Sequence, residues 1–166
     1  KEDSLKEKRE EKSHTLANAL RSVTSNLRET IWALNQEKLT VQSIADKLKV
    51  YSRNMFIYSN TQIKFEESIE NDTNLEPAIA LNVFRICQEI INNVFKHAEA
   101  SELTVTIVKN NKINITITDN GKGFDPSQKQ TESYGLANLK NRADEINATL
   151  TIDAQLNKST KIILVV

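Results

Sequence analysis

Glycine occurs only three times in this chain of 166 residues, at positions 121, 123 and 135. Every turn outside that short span is made without it. The three positions therefore read as sites that need a positive φ or a close backbone approach to something. Gly121 and Gly123 open the run GKGFDPSQKQTES, residues 121 to 133, which is polar, contains Pro126 and is the obvious loop.

Around that loop, helix and strand patterns alternate. Residues 1 to about 35 read as helix. Its first twelve residues, KEDSLKEKREEK, are almost all charged and suit a solvated helical end or a frayed tail. Leu16, Leu20, Val23, Leu27, Thr30 and Leu34 then recur at spacings of four and three. That is a heptad seam, suited to a two-helix hairpin or a dimer bundle, or else the face of a plain amphipathic packing helix. Asn35 to Leu39 breaks the pattern, and a second amphipathic helix is expected from Thr40 to Ser52. Gln62 to Ser68 alternates like a strand, and a polar connection leads to a long helix that opens at Leu75 to Pro77 and runs to about His97. Two further strands, Glu102 to Lys109 and Lys112 to Asp119, flank Asn110 and Asn111, a tight hairpin turn. After the loop come a helix from Tyr134 to Asn147 and strands at Leu150 to Ala154 and Thr160 to Val166. This order predicts an α/β fold, a two-layer sandwich with a mixed sheet rather than a doubly wound parallel one. A helical stem over residues 1–36 precedes the globular part, residues 37–166.

Composition removes several function classes. Lysines plus arginines number 22 and acidic residues 22, so no global basic field invites nucleic acid, and any bound anion must be held locally. No apolar run approaches the roughly 20 residues that cross a membrane, and no secretory signal is visible. The lone cysteine, Cys87, rules out an internal disulfide and makes cytoplasmic residence the simpler expectation.

Two clusters carry chemistry. The helix from 76 to 97 is apolar over most of its circumference, with Ile79, Val83, Ile86, Ile90 and Val94 in one stripe and Phe84, Cys87, Ile91 and Phe95 beside it. Asn82, Arg85, Glu89, Asn92, Asn93 and Lys96 form a polar strip. Glu89, Asn93 and Lys96 lie at spacings of four and three, which points them the same way. The strip is either a solvent-facing surface or an active-site wall: a carboxylate, an amide oxygen able to ligate magnesium, and an ammonium for phosphate. In the second cluster, Asp119 keeps the parity of Ile113, Ile115 and Ile117 and so falls at a strand end on the buried face, where a carboxylate needs hydrogen bonds. It is either a turn cap or part of a site built with Gly121 and Gly123. A second glycine turn, at Tyr134, Gly135 and Leu136, opens a helix whose amides and positive dipole end favour phosphate.

The segments ICQEIINNVFKHA, ITDNGKGF and SYGLANLKNRADEI resemble, in order and spacing, the N box and two glycine boxes of the histidine-kinase ATPases, whose wider superfamily includes gyrase, mismatch-repair and chaperone ATPases. LRETIWALN resembles the second dimerisation helix of the sensor kinases whose regulators are of the NarL type. The resemblance covers about residues 16 to 166 and implies the Bergerat ATP-binding fold, with ATP and magnesium as cofactors. It implies that Glu89 polarises the attacking nucleophile, that Asn93 ligates magnesium, and that Lys96 and His97 face the phosphates. Asp119 would accept a hydrogen bond from the adenine amino group, with Thr160 near the adenine edge. Gly121 and Gly123 would shape the adenine pocket, Phe124 would open a mobile lid, and Tyr134, Gly135 and Leu136 would belong to the turn that closes around the phosphates. The sequence departs from the family pattern at Ser159 and at Asn147, where glycine is usual; Asn tolerates left-handed backbone, so the second change is mild.

The resemblance also implies a phosphoacceptor histidine in an E-L-H-D-like run on the first stem helix. That run is missing. His14 is placed on the second stem helix and His97 in the N box, so neither is read as the acceptor. The chain is therefore expected to lack the acceptor helix and any sensor region, and to bind Mg-ATP without phosphorylating itself. Its expected partners are a NarL-type response regulator and a second copy through the stem seam. In a full protein it would be the cytoplasmic part of a membrane-anchored sensor. An anti-sigma-factor-type serine kinase and a degenerate binding module of the same fold are the alternatives.

Overall fold

The computed structural model describes residues 38–125 and 133–166, and 12, 13, 15–17, 20, 23, 24 and 27–34 of the preceding segment, with backbone alone at Ser133 and Tyr134. The chain divides into two compact units, Lys1–Glu37 and Lys38–Val166. In the first, all described residues are helical. Leu16, Leu20, Val23, Leu27, Ile31 and Leu34 are exposed there. His14 lies outside the described residues.

The second unit runs α1 (Val41–Met55), β1 (Gln62–Ile69), α2 (Pro77–Asn93), a π-helical turn (Val94–Ala98), β2 (Glu102–Lys109), β3 (Ile113–Asp119), α3 (Ser133–Glu145), β4 (Thr149–Ala154) and β5 (Thr160–Val165). The sheet order is β1-β2-β3-β5-β4. β1 and β2 are parallel and every other pairing is antiparallel. Parallel neighbours need a crossover, and α2 is that crossover. Alternation sets the layers: Leu103, Val105 and Ile107 of β2, Ile113, Ile115 and Ile117 of β3, and Ile162 and Leu164 of β5 are buried, while their neighbours along each strand are more exposed. The buried face meets α2, whose Ala80, Val83, Phe84, Ile86, Cys87, Ile90 and Ile91 are all buried. The result is the two-layer mixed sandwich expected from the pattern.

Local rules account for the ends of the elements. Thr40 and Ser43 form a capping box at the start of α1, and the next two orphan amides, of Val41 and Gln42, donate to the Asp72 carboxylate at 2.9 and 3.1 Å. Pro77 starts α2, where its missing N–H costs nothing. α3 ends in a Schellman motif: the Ala148 N–H donates to the Ala143 carbonyl at 2.8 Å and the Asn147 N–H to that of Asp144 at 3.1 Å. Asn147 takes φ 52°, so it stands in the left-handed role that glycine fills most easily. The β2–β3 turn uses three residues, 110–112, closed by the Asn110 N–H on the Lys112 carbonyl. None has positive φ, so it is not a two-residue primed turn.

Two readings of the long helix need correction. Phe95 belongs to no buried stripe; it is 47% exposed and meets the buried Phe56 edge to face, at 5.2 Å between centroids and 82° between planes. Regular α-helix also stops at Asn93, and the π turn carries the chain on to Ala98. Cys87, in the middle of α2, is fully buried, and burial pushes its thiol pKa up to about 12.

Candidate functional site

Asp119 ends β3 on the inward face and is 3% exposed. A bare carboxylate there would be strongly disfavoured. Two donors prevent that: the Gly121 N–H at 2.9 Å from Oδ1 and the hydroxyl of Thr160, Asp119's direct partner across the β3–β5 ladder. Burial raises the carboxyl's pKa above its ordinary 3.8, and the two hydrogen bonds pull it the other way. Among the described residues, no buried side-chain nitrogen or oxygen lacks a hydrogen-bond partner.

The glycines explain how the loop after Asp119 is seated. A Cβ on Gly121 would fall on the Ala98 carbonyl oxygen and lie 2.8 Å from the Ala98 Cβ, so the end of the π turn and this loop are in backbone contact. The Lys122 N–H donates to that same carbonyl at 2.8 Å, and its own carbonyl accepts from the Asn157 N–H at 2.6 Å. Lys122 Nζ also pairs with Glu99 at 2.6 Å. Gly123 has φ 59°, and a Cβ there would fall on the carbonyls of Gln155 and Lys158. The loop is thus wedged between the end of the long helix and the β4–β5 turn, and only glycine fits at either contact. Ser159 does not have positive φ, so its replacement of glycine is sterically mild.

Glu89 and Asn93 are half-buried, whereas Lys96 and His97 are exposed on the π turn. Glu89 and Asn93 share a face of regular helix. Lys96 does not extend that α-helical register, because the wider turn intervenes. A Cβ on Gly135 would lie 3.4 Å from Glu89 Oε1, which brings the start of α3 against the polar strip of α2. Tyr134, Gly135 and Leu136 all fall in the first turn of α3, where backbone amides have no intrahelical acceptor. Asn82, at the other end of the strip, is a structural tie: its Nδ2 donates to Glu145 at 3.3 Å and its Oδ1 accepts from Arg142 at 3.4 Å. Phe124 is half-buried, and residues 126–132 of the expected lid and the Tyr134 side chain lie outside the described residues.

Asn120 was not singled out from sequence. Its Oδ1 accepts from the amides of Ser101 and Glu102, both at 2.9 Å, and its Nδ2 donates to Ser101 Oγ at 2.9 Å. It locks the start of β2 to the end of β3, directly beside Asp119. The signal was available, since Asn in a glycine-rich turn is a strong competitor for backbone amides.

The site is therefore built from three separated segments at one end of the sheet: Glu89 to Ala98, Asp119 to Phe124 with Thr160, and the first turn of α3. Its groups are a buried acceptor, a half-buried carboxylate and amide, an exposed ammonium and imidazole, and helix-start amides with no intrahelical acceptor. That set suits a heterocyclic amino group at one end and a metal–polyphosphate at the other.

Residues 78–166 match the family described as histidine kinase-, DNA gyrase B-, and HSP90-like ATPase. Sensor histidine kinase LiaS of Bacillus subtilis (strain 168) is 39% identical over 92 residues, 55% of this chain and 26% of that protein. The signal transduction histidine-protein kinase/phosphatase DegS of Brevibacillus brevis is 29% identical over 164 residues, 98% of this chain and 41% of DegS. The chain thus spans less than half the length of either. Histidine kinase AdeS of Acinetobacter baumannii superposes with a TM-score of 0.65 at 13% identity, over 90% of this chain and 79% of that one, a likeness of fold. The chain belongs to the histidine kinase-, DNA gyrase B- and HSP90-like ATPase family, as an ATP-binding catalytic domain of the sensor histidine kinase type.

Proposed function

We propose that this chain binds Mg-ATP at the helix–loop end of its sheet and, within a longer sensor kinase, directs the γ-phosphoryl group to a histidine for relay to a response-regulator aspartate. In this reading Asp119 accepts from the adenine amino group beside Thr160, and Gly121, Gly123 and Phe124 form the pocket and the root of the lid. Asn93 ligates magnesium through its amide oxygen. Lys96, His97 and the amides of Tyr134, Gly135 and Leu136 neutralise the phosphates, and Glu89 polarises the attacking imidazole. ATP supplies the transferable phosphoryl group; the chain supplies position and charge.

The observation that carries the reading is the backbone contact of Gly121 with Ala98 together with the approach of Gly135 to Glu89, which joins all three motifs in one site. The rest of the assignment rests on family: residues 1–36 as a partial dimerisation stem, 37–166 as the catalytic domain, a homodimer through the stem seam, a NarL-type regulator as partner, and a cytoplasmic setting. No described helix is long and apolar enough to cross a membrane.

Calorimetry of ATP binding with and without magnesium tests the reading through Asn93→Ala. The unchanged chain should bind more tightly with magnesium, and the variant should lose that gain, about tenfold or more for one metal ligand, while keeping its metal-free affinity. A folded chain that binds no ATP would instead favour a degenerate binding module.

A further inference from the structure

A π turn is an uncommon way to end a helix and needs a local cause. In this chain it is held from two sides. Beyond Val94, which is buried, Phe95 stands edge-on against the buried ring of Phe56, the residue that ends α1. At its far end, the Ala98 carbonyl accepts the Lys122 N–H, with Gly121 pressed against it. Lys96 and His97 lie between these two anchors. The Ala98 anchor belongs to the pocket around Asp119, whereas the Phe95 anchor is made with the residue that ends α1.

We infer that Phe95, through its edge-to-face contact with Phe56, is a positioning residue that fixes the π turn so that Lys96 and His97 meet the phosphate end of the nucleotide. The inference rests on the phosphate-binding reading above and adds a residue that touches no ligand. Without the ring contact, Val94 and Ala98 still hold the ends of the turn, but residues 95–97 can rewind toward regular helix. That rotates Lys96 and His97 about the helix axis, because a π turn and an α turn present successive residues at different angles. Asp119, Thr160 and the glycine loop do not move with them.

The test is a comparison of ATP and adenosine affinities in the same chain. Phe95→Ala, at a half-exposed position, should weaken ATP binding about tenfold, the scale of one charge-assisted hydrogen bond, and leave adenosine binding unchanged. Phe95→Tyr keeps the edge-to-face geometry with its hydroxyl free to reach solvent, and should restore ATP affinity. Phe56→Leu should reproduce the selective loss. Lys96→Ala and His97→Ala are the internal controls. If both bind ATP normally, the phosphate reading fails and the inference falls with it. If either loses affinity while Phe95→Ala binds ATP normally, the inference alone is overturned. Equal losses for ATP and adenosine in Phe95→Ala would also overturn it, since they would mean the ring merely supports the whole pocket.

Discussion

Asp119→Asn is expected to remove measurable ATP binding at neutral pH without unfolding the domain. The amide has the shape of the carboxylate and keeps one oxygen to accept from the Gly121 N–H or the Thr160 hydroxyl. Its nitrogen, however, is a donor where the adenine amino group requires an acceptor. Two opposed donors with a lost buried hydrogen bond amount to about 3 kcal/mol, more than about a hundredfold in affinity. Calorimetry paired with thermal denaturation separates the effects. The melting temperature should hold or rise, and the sign follows from burial. A folded-state pKa raised above 3.8 means that ionisation of Asp119 opposes folding above that pKa, a penalty that vanishes as pH falls below the unfolded value. The neutral amide carries no such penalty at any pH. For the unchanged chain, ATP affinity should decline as pH falls through the raised pKa. An Asp119→Asn variant that binds ATP like the unchanged chain would sink the adenine assignment.

Gly123→Ala should be the most damaging of the glycine replacements for the fold itself. At φ 59° an L-residue costs roughly 1–2 kcal/mol. The new methyl would also strike the carbonyls of Gln155 and Lys158, which belong to a tight turn and cannot swing aside as a side chain would. Relieving that clash means breaking the hydrogen bond from Asn157 to Lys122. Together the terms come to about 3–4 kcal/mol, or roughly 10 °C in melting temperature for a domain of this size. Gly135→Ala makes the contrast. Among the described residues its Cβ would meet only Glu89 Oε1, at 3.4 Å, and helical alanine is favoured over glycine by about 1 kcal/mol. It should melt no lower than the unchanged chain, and any loss should appear in nucleotide affinity. Indistinguishable melting temperatures for the two variants would contradict the wedge described for the glycine loop.

The strands were legible in the sequence because period-two alternation survives wherever one face of a sheet is buried, as in β2 and β3. The helices were legible from their caps and apolar stripes. What could not be read was tertiary. Whether β1 joins β2 parallel or antiparallel depends on where α2 returns the chain, and no local residue encodes that. The π turn was missed because a pattern counted in threes and fours cannot register one wider turn; Phe95 therefore looked like a core residue. Asn82 looked like part of the polar wall until Arg142 and Glu145 arrived from sixty residues away. The residues around Asp119, by contrast, were exposed by their chemistry: a carboxylate on an inward strand position and glycines in a chain that otherwise avoids them are both costly unless something requires them.

The burial of Cys87 gives the molecule a clock. At neutral pH a thiol with its pKa pushed up to about 12 contains almost no thiolate, and it is sealed inside α2 besides. An alkylating reagent can reach it only in molecules whose central helix has come away from the sheet. Because it is the sole cysteine of the chain, each mass increment marks one molecule caught with its core open, and the labelling rate tracks the open population when closing outpaces alkylation. Nucleotide that binds only the closed form should slow the clock, so occupancy of the site could be timed from a sulfur atom that never touches it.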